Sequence, residues 1–160
     1  MSVECFVTGG SGFVGQHLLA RLTAAGHKTW VLMRTPENIG RLQEQVGQLG
    51  GNPAYIHAVG GDISRDGLGL SEADRQCVSS AAVVFHLAAQ FTWGLTMEQA
   101  RTVNVQGALN VARLAANQRM RLLMVGGYML QNLSHLASIG VDNEHPENTH
   151  WPAVYGRVGG

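Results

Sequence analysis

The chain has 160 residues, 45% hydrophobic and 14% charged, enough apolar material for one domain with a substantial core. Eleven basic side chains balance eleven acidic ones, so there is no electrostatic footprint for nucleic acid or an anionic membrane. No apolar stretch is long enough to cross a bilayer, so neither nucleic acid nor membrane is expected as a partner.

The chain opens on an apolar run, Val3 to Val7, that suits a strand covered on both faces. Thr8-Gly9-Gly10-Ser11-Gly12-Phe13-Val14-Gly15 follows, and then a helical pattern over about Gly12 to Ala25 with Val14, Leu18, Leu22 and Ala25 on one stripe. Gly26 is the expected C-terminal cap. A second strand covers Lys28 to Met33 and ends at Arg34. Thr35-Pro36 is the expected start of a second helix, with Thr35 as N-cap and Ile39, Leu42, Val46 and Leu49 on its buried face. Gly50-Gly51 stop it, and a third strand, about Ala54 to Val59, leads into Gly60-Gly61-Asp62-Ile63.

Ser71-Glu72-Ala73-Asp74 reads as a capping box for a short helix. A fourth strand, Ala82 to Leu87, ends in Ala88-Ala89. A long helix is expected from Met97 to Ala116, capped by Thr96 with Gln99 three residues on. It carries two apolar stripes: Ala100, Val103, Gly107, Val111 and Leu114, and Val105, Leu109, Ala112 and Ala116. One stripe covers a sheet; the other faces either a neighbouring helix or a second subunit. A fifth strand, Arg121 to Val125, ends at Gly126-Gly127. Strict alternation of strands and helices argues an α/β fold with a doubly wound parallel sheet in three α/β/α layers. The last residues, 140–160, read as polar loop, and residues 1–160 are expected to be the N-terminal cofactor domain of a longer chain.

A strand, a glycine-rich turn and a helix in that order form the phosphate-cradling half of a dinucleotide-binding βαβ unit. On this reading Gly9 makes the tight turn, Gly12 admits a pyrophosphate to the backbone, and Gly15 lets helix and strand pack closely. Gly10, Ser11, Phe13 and Val14 complete the loop. The end of the second strand meets the adenosine ribose, where an acid selects NAD. Met33 and Arg34 stand there instead. Arg34, with Arg41 as a second positive charge, suits the 2′-phosphate of NADP, with NAD as the alternative. Asp62 is placed to accept from the adenine amino group or to cap a turn, with Ile63 against the ring. Leu87, Ala88 and Ala89 let a cofactor pass close to the backbone.

These residues resemble the short-chain dehydrogenase/reductase superfamily, in particular its extended branch of epimerases, dehydratases and reductases. Four ordered motifs carry the resemblance: Thr8 to Gly15, Gly61-Asp62-Ile63, Phe85-His86-Leu87-Ala88-Ala89, and Asn104-Val105-Gln106-Gly107-Ala108-Leu109-Asn110-Val111. It implies a Rossmann domain that binds NAD or NADP, a role for Asn104 in holding the active-site architecture, and a homodimer through the 97–116 helix. It further implies a Tyr-x-x-x-Lys pair and a Ser or Thr hydroxyl. Lys28 is the only lysine, so no such pair lies within the 160 residues and the expectation puts it further on. The usual serine position falls on Gly126, and Ser138 is the substitute.

The expected function is therefore an NAD(P)-dependent oxidoreductase, epimerase or dehydratase that passes hydride between nicotinamide and the carbonyl or hydroxyl of a small molecule. The alternative is a non-catalytic NADP-binding regulator or redox sensor, favoured by the glycine at 126. The spacing of His135, His145 and His150 fits no established metal pattern, so no metal site is expected. His86 reads as a packed, hydrogen-bonded histidine, while Phe91 and Trp93 either line a substrate cleft or cover the core. Cys5 and Cys77 define no disulfide framework. No signal peptide is read from the N-terminus, so the cytoplasm is the expected compartment.

Overall fold

Five parallel strands lie in the order β3-β2-β1-β4-β5, with β1 at the centre. They are β1 (Glu4–Thr8), β2 (Lys28–Met33), β3 (Ile56–Gly60), β4 (Val83–His86) and β5 (Arg121–Met124). A computed structural model describes residues 2–90, 94–125 and 133–138. The chain divides into two compact units, Met1–Val125 and Gly126–Gly160. The sheet belongs to the first; in the second, the described element is α6 (Leu133–Ser138).

Alternation along β1 builds the three layers. Phe6 joins one buried cluster with Val59, Val84, Val111 and Leu114, and Val7 joins another with Leu19, Val31, Leu42 and Val46. Successive side chains of a strand point to opposite faces, so one strand nucleates both cores. Helices α1 (Phe13–Ala24) and α2 (Ile39–Gln48) cover the Val7 face. Helix α5 (Gly107–Asn117) and the end of α3 (Glu72–Val78) cover the other. This is the Rossmann-type arrangement that strand and helix alternation implies.

Several boundaries and faces differ from expectation. Helix α1 buries Gly15, Leu19, Ala20 and Thr23 rather than the Val14 stripe, and Val14 is 58% exposed. The helix is seated by small residues: Gly51 lies where a Cβ would meet the Ala20 Cα at 2.7 Å and the Thr23 hydroxyl at 2.8 Å. Contact with the loop that follows α2 therefore overrides the larger aliphatic side chains. Thr35 precedes a short 3-10 turn, Pro36–Asn38, without capping it through its side chain, and α2 begins only at Ile39. Its buried residues are Leu42 and Val46, whereas Leu49 is exposed past the C-terminus. The Thr96 capping box forms in full, whereas at Ser71 the Asp74 carboxylate accepts from the Ser71 hydroxyl rather than from its N–H. Ser71 Oγ accepts from the Asp74 N–H, while Thr96 Oγ1 accepts from Gln99 N–H and Gln99 Oε1 from Thr96 N–H.

The expected single helix from Met97 is interrupted. Helix α4 (Met97–Ala100) runs into a π-helical turn, Arg101–Gln106, and then α5. A π turn carries one extra residue per turn and shifts the faces on either side. The Gly107, Val111 and Leu114 stripe is buried against the sheet, while Val105 and Leu109 of the second stripe stay exposed.

Candidate functional site

The glycine turn is held by sterics as well as conformation. Gly9 has φ 76°, and a Cβ there would stand 2.6 Å from the Ala88 nitrogen. It therefore serves two purposes: the left-handed turn, and close approach to the chain leaving β4. A Cβ at Gly15 would lie 2.2 Å from the Gly9 carbonyl oxygen, so Gly15 packs α1 onto the turn itself rather than onto a strand. Gly12 is different. Its φ of −73° suits any residue, and its Cβ would come no nearer than 3.4 Å to the Gly9 oxygen. The protein's own packing leaves room for a side chain at Gly12.

Gly12 is also the N-cap of α1, and no side chain caps that helix. The first N–H groups of a helix have no partner within it, and the helix dipole adds partial positive charge there. At α1 these N–H groups belong to Phe13, Val14 and Gly15. The Phe13 side chain is 80% exposed and sits edge-on to His17, 4.8 Å between centroids.

The turn forms one wall of an open cleft of about 870 Å³ at the carboxyl ends of the strands. Of the residues singled out from sequence, Gly9, Ser11, Gly12, Arg34, Asp62, Ile63, Leu87, Ala88 and Ala89 line this cleft. Gly10 and Gly15 shape the turn from behind, and Phe13 and Val14 are not among the cleft residues. Arg34 and Arg41 both border the cleft beyond β2, together with Thr35 and Asn38. No acid from β2 or the turn that follows it lines the cleft; the carboxylate beside this end of β2 is Asp62, from the end of β3.

Asp62 leaves β3 in a tight turn. Its Oδ1 accepts from the Ser64 hydroxyl at 2.7 Å and the Ser64 N–H at 2.9 Å. The Ser64 hydroxyl and N–H, followed by the nearby Arg34 and Arg65 charges, hold the carboxyl below its ordinary range against the opposing effect of burial. The carboxylate is thus an acceptor at neutral pH, and among the described residues Oδ2 has no hydrogen bond. Asp62 both caps a turn and faces the cleft. Ile63 reaches the cleft with little of its side chain, being only 7% exposed.

Asn104 lies behind the cleft wall rather than on it. It sits in the π-helical turn, where its Oδ1 accepts from Gln90 N–H at 2.7 Å and its Nδ2 donates to Gln90 C=O at 3.0 Å. The side-chain amide satisfies both backbone groups of one residue, and so fixes the segment in which Ala88, Ala89 and Gln90 line the cleft. Val103, from the same turn, lines the cleft directly. Sequence reading missed Gln90, Val103 and Arg65; the π turn that delivers Val103 leaves no periodic signal.

His86 is a packed histidine: it is 4% exposed, with Nδ1 2.6 Å from Thr8 Oγ1. Ser138 is the exposed last residue of α6. Gly126, Phe91, Trp93, His145 and His150 lie outside the described residues.

The donor set fits a dinucleotide: uncapped helix N–H groups beside a glycine with room to spare, arginines at one end, and an ionised carboxylate between. Residues 7–150 match the model of an NAD-binding family described as Male sterility protein. The chain belongs to that family. The Male sterility protein family lies within the extended branch of the short-chain dehydrogenase/reductase superfamily, whose members are NAD(P)-dependent reductases and epimerases. A PKS-NRPS hybrid synthetase from Chaetomium globosum is 34% identical over 119 residues, covering 72% of this chain and 2% of the synthetase. The fatty acyl-CoA reductase wat of Drosophila melanogaster is 30% identical over 128 residues, covering 69% of this chain and 24% of that protein. The crystal structure of the terminal R domain from the myxalamid PKS-NRPS pathway superposes with a TM-score of 0.70 at 28% identity, covering 80% of this chain and 35% of that domain. The chain thus spans a minor part of each relative. Among the described residues, no helix is long and apolar enough to cross a membrane.

Proposed function

We propose that this chain is the NADP(H)-binding part of a reductase acting on acyl thioesters, CoA-linked or carrier-linked. The observation that carries the cofactor reading is the uncapped start of α1 beside Gly12, opening on a cleft that ends at Arg34 and Arg41. The thioester reading is supported by relatives named as a fatty acyl-CoA reductase and as a PKS-NRPS R domain. A fatty acyl-CoA is an acyl thioester.

On this reading the N–H groups of Phe13, Val14 and Gly15 hold the pyrophosphate, with the dipole of α1 behind them. Arg34 and Arg41 hold the 2′-phosphate, for which a guanidinium offers a charge-assisted fork. Asp62 accepts from the adenine amino group, and Ala88 and Ala89 keep the path along the backbone clear. When bound, NADPH supplies the hydride that, with one proton, turns a thioester into an aldehyde and a free thiol. Asn104 keeps the Gln90 segment in place beside that path. The proton donor is assigned to the Tyr of the Tyr-x-x-x-Lys pair that the family resemblance implies, a pair not within residues 1–160.

We also infer pairing of two copies through α4–α5, supported by Val105 and Leu109, both nearly half exposed and four residues apart. The two free cysteines accord with a reducing compartment such as the cytoplasm.

The test is fluorescence titration of the full-length protein with NADPH and NADH, followed by acyl-CoA-dependent loss of absorbance at the reduced-cofactor band. Tighter binding of NADPH, abolished in Arg34→Ala, and turnover with release of free CoA thiol are expected. Equal affinities would remove the NADP assignment. Binding without turnover on any acyl-CoA or aldehyde would favour a regulatory binder.

A further inference from the structure

The adenosine side of the cleft is held from behind by a residue that no motif role accounts for. Asn110 lies on α5 and is only 4% exposed. Its Nδ2 donates to the Ile63 carbonyl at 2.8 Å and to the Arg65 carbonyl at 3.1 Å. Its Oδ1 accepts from Gln106 Nε2 at 2.9 Å. The amide is therefore satisfied on both ends, and its two donors reach across 45 and 47 residues of sequence to one short loop. That loop is the one that carries Asp62 and Arg65.

A second contact from the same helix acts on the same loop. A Cβ on Gly107 would lie 2.7 Å from Ile63 Cδ1, 3.0 Å from Cγ1 and 3.3 Å from Cβ. The glycine is a socket for Ile63, and Asn110 latches the carbonyl of the residue seated in it. Arg65 O already accepts from Leu68 N–H, so it keeps a partner without Asn110, whereas Ile63 O has no other hydrogen bond among the described residues.

We infer that Asn110 is a positioning residue of the adenosine subsite, setting with Gly107 the place of Asp62 and Arg65 relative to the glycine turn. This rests on the cofactor reading above. A buried amide whose partners are backbone carbonyls of a ligand-facing loop fixes that loop in one arrangement, because moving it leaves polar groups unpaired. Binding then avoids the cost of ordering the loop.

The test compares Asn110→Ala and Gly107→Ala with wild type in the full-length protein. Affinities for NADPH and for reduced nicotinamide mononucleotide, which lacks the adenosine half, are measured by fluorescence. The dissociation constant for NADPH is expected to rise about tenfold in each variant while that for the mononucleotide stays unchanged, since the lost interactions lie on one half of the ligand. Equal weakening of both ligands would make Asn110 a general structural residue and overturn the inference, as would unchanged NADPH binding. If Asn110→Ala does not fold, Gly107→Ala decides, because it moves Ile63 without unpairing a buried amide. Failure of the wild type to bind NADPH or NADH removes the cofactor reading itself; wild-type binding with unaltered variants removes only the role of Asn110.

Discussion

The Thr8 hydroxyl lies 2.6 Å from Nδ1 of His86 where β1 and β4 end side by side beneath the glycine turn. Both side chains are buried, and burial pushes the His86 imidazole below its ordinary value of 6.5. His57 is lowered as well, by burial first and by the Lys28 charge second. A histidine lowered in the folded state binds fewer protons there than in the unfolded chain. Its stabilisation is fully present above about pH 6.5 and is lost as the pH falls through the folded value. Stability to urea is therefore expected to fall between pH 7.5 and 5. His86→Gln retains a partner for Thr8 and removes one titrating group, so its loss over the same interval should be smaller. An identical pH slope in the variant would remove His86 from the account.

Replacing Thr8 by Val probes the same pair from the other side. The shape is nearly preserved, but His86 Nδ1 is left buried without its partner. A cost of about 1–3 kcal/mol is expected from the unpaired group. Denaturant unfolding of the two proteins at pH 7.5 measures it; a neutral substitution would mean that water reaches Nδ1.

The glycines of the turn separate packing from ligand approach. Gly15→Ala forces a Cβ against the Gly9 carbonyl, a backbone atom that cannot swing aside, and is expected to cost about 1–3 kcal/mol or more. Gly12→Ala meets nothing closer than 3.4 Å and loses only the N-cap advantage of glycine, about 0.5–1 kcal/mol. Its effect should fall on the cofactor instead. A folded Gly12→Ala protein that binds NADPH as tightly as wild type would contradict the view that a ligand comes close at this position.

Much of this was legible in the sequence because it is local. The strand–turn–helix order around Gly9, the Ser71 and Thr96 N-caps and the basic residue that follows β2 are all read from neighbours a few positions apart. What escaped depends on contacts distant in the chain. Hydrophobicity alone puts Leu18 and Leu22 ahead of Ala20 on the buried face of α1, while the fit against Gly51 favours the smaller residue. The π turn at Arg101–Gln106 breaks no composition rule, since none of its residues is a helix breaker. Asn104 was singled out through family resemblance, and only the fold shows that its target is the backbone of Gln90.

That bond makes its own test. Asn104→Ala deprives Gln90 of its side-chain partners for both backbone groups, whereas Asn104→Asp keeps the acceptor and loses the donor. The alanine variant is expected to lose about 1–3 kcal/mol and the aspartate variant less, unless its charge is desolvated. Hydrogen exchange at the Gln90 amide reports the effect directly. Faster exchange in Asn104→Ala with slow exchange retained in Asn104→Asp is the expected pattern.

Leu68 is, with Arg119, one of two non-glycine residues with a left-handed backbone among the described residues. It has φ 60° and lies between Gly67 at 57° and Gly69 at 60°, three left-handed residues in succession. A non-glycine residue in this region costs roughly 1–2 kcal/mol. Two gains offset it: the side chain is wholly buried among Val59, Ile63 and Val84, and the Leu68 carbonyl accepts from Asp62 N–H at 2.8 Å. Gly61 lets that carbonyl in, since a Cβ there would lie 2.4 Å from it. Truncation should therefore invert a familiar order. Leu68→Ala loses the burial and keeps the strain, at about 2–5 kcal/mol. Leu68→Gly loses the burial and relieves the strain, less about 0.4–1 kcal/mol for the freer unfolded chain. The glycine variant should be the more stable of the two by up to about 1.5 kcal/mol on this balance of strain and chain entropy. Urea midpoints of the two variants check this, and a more stable alanine variant would mean that the strain at Leu68 is smaller than the chain-entropy cost of glycine.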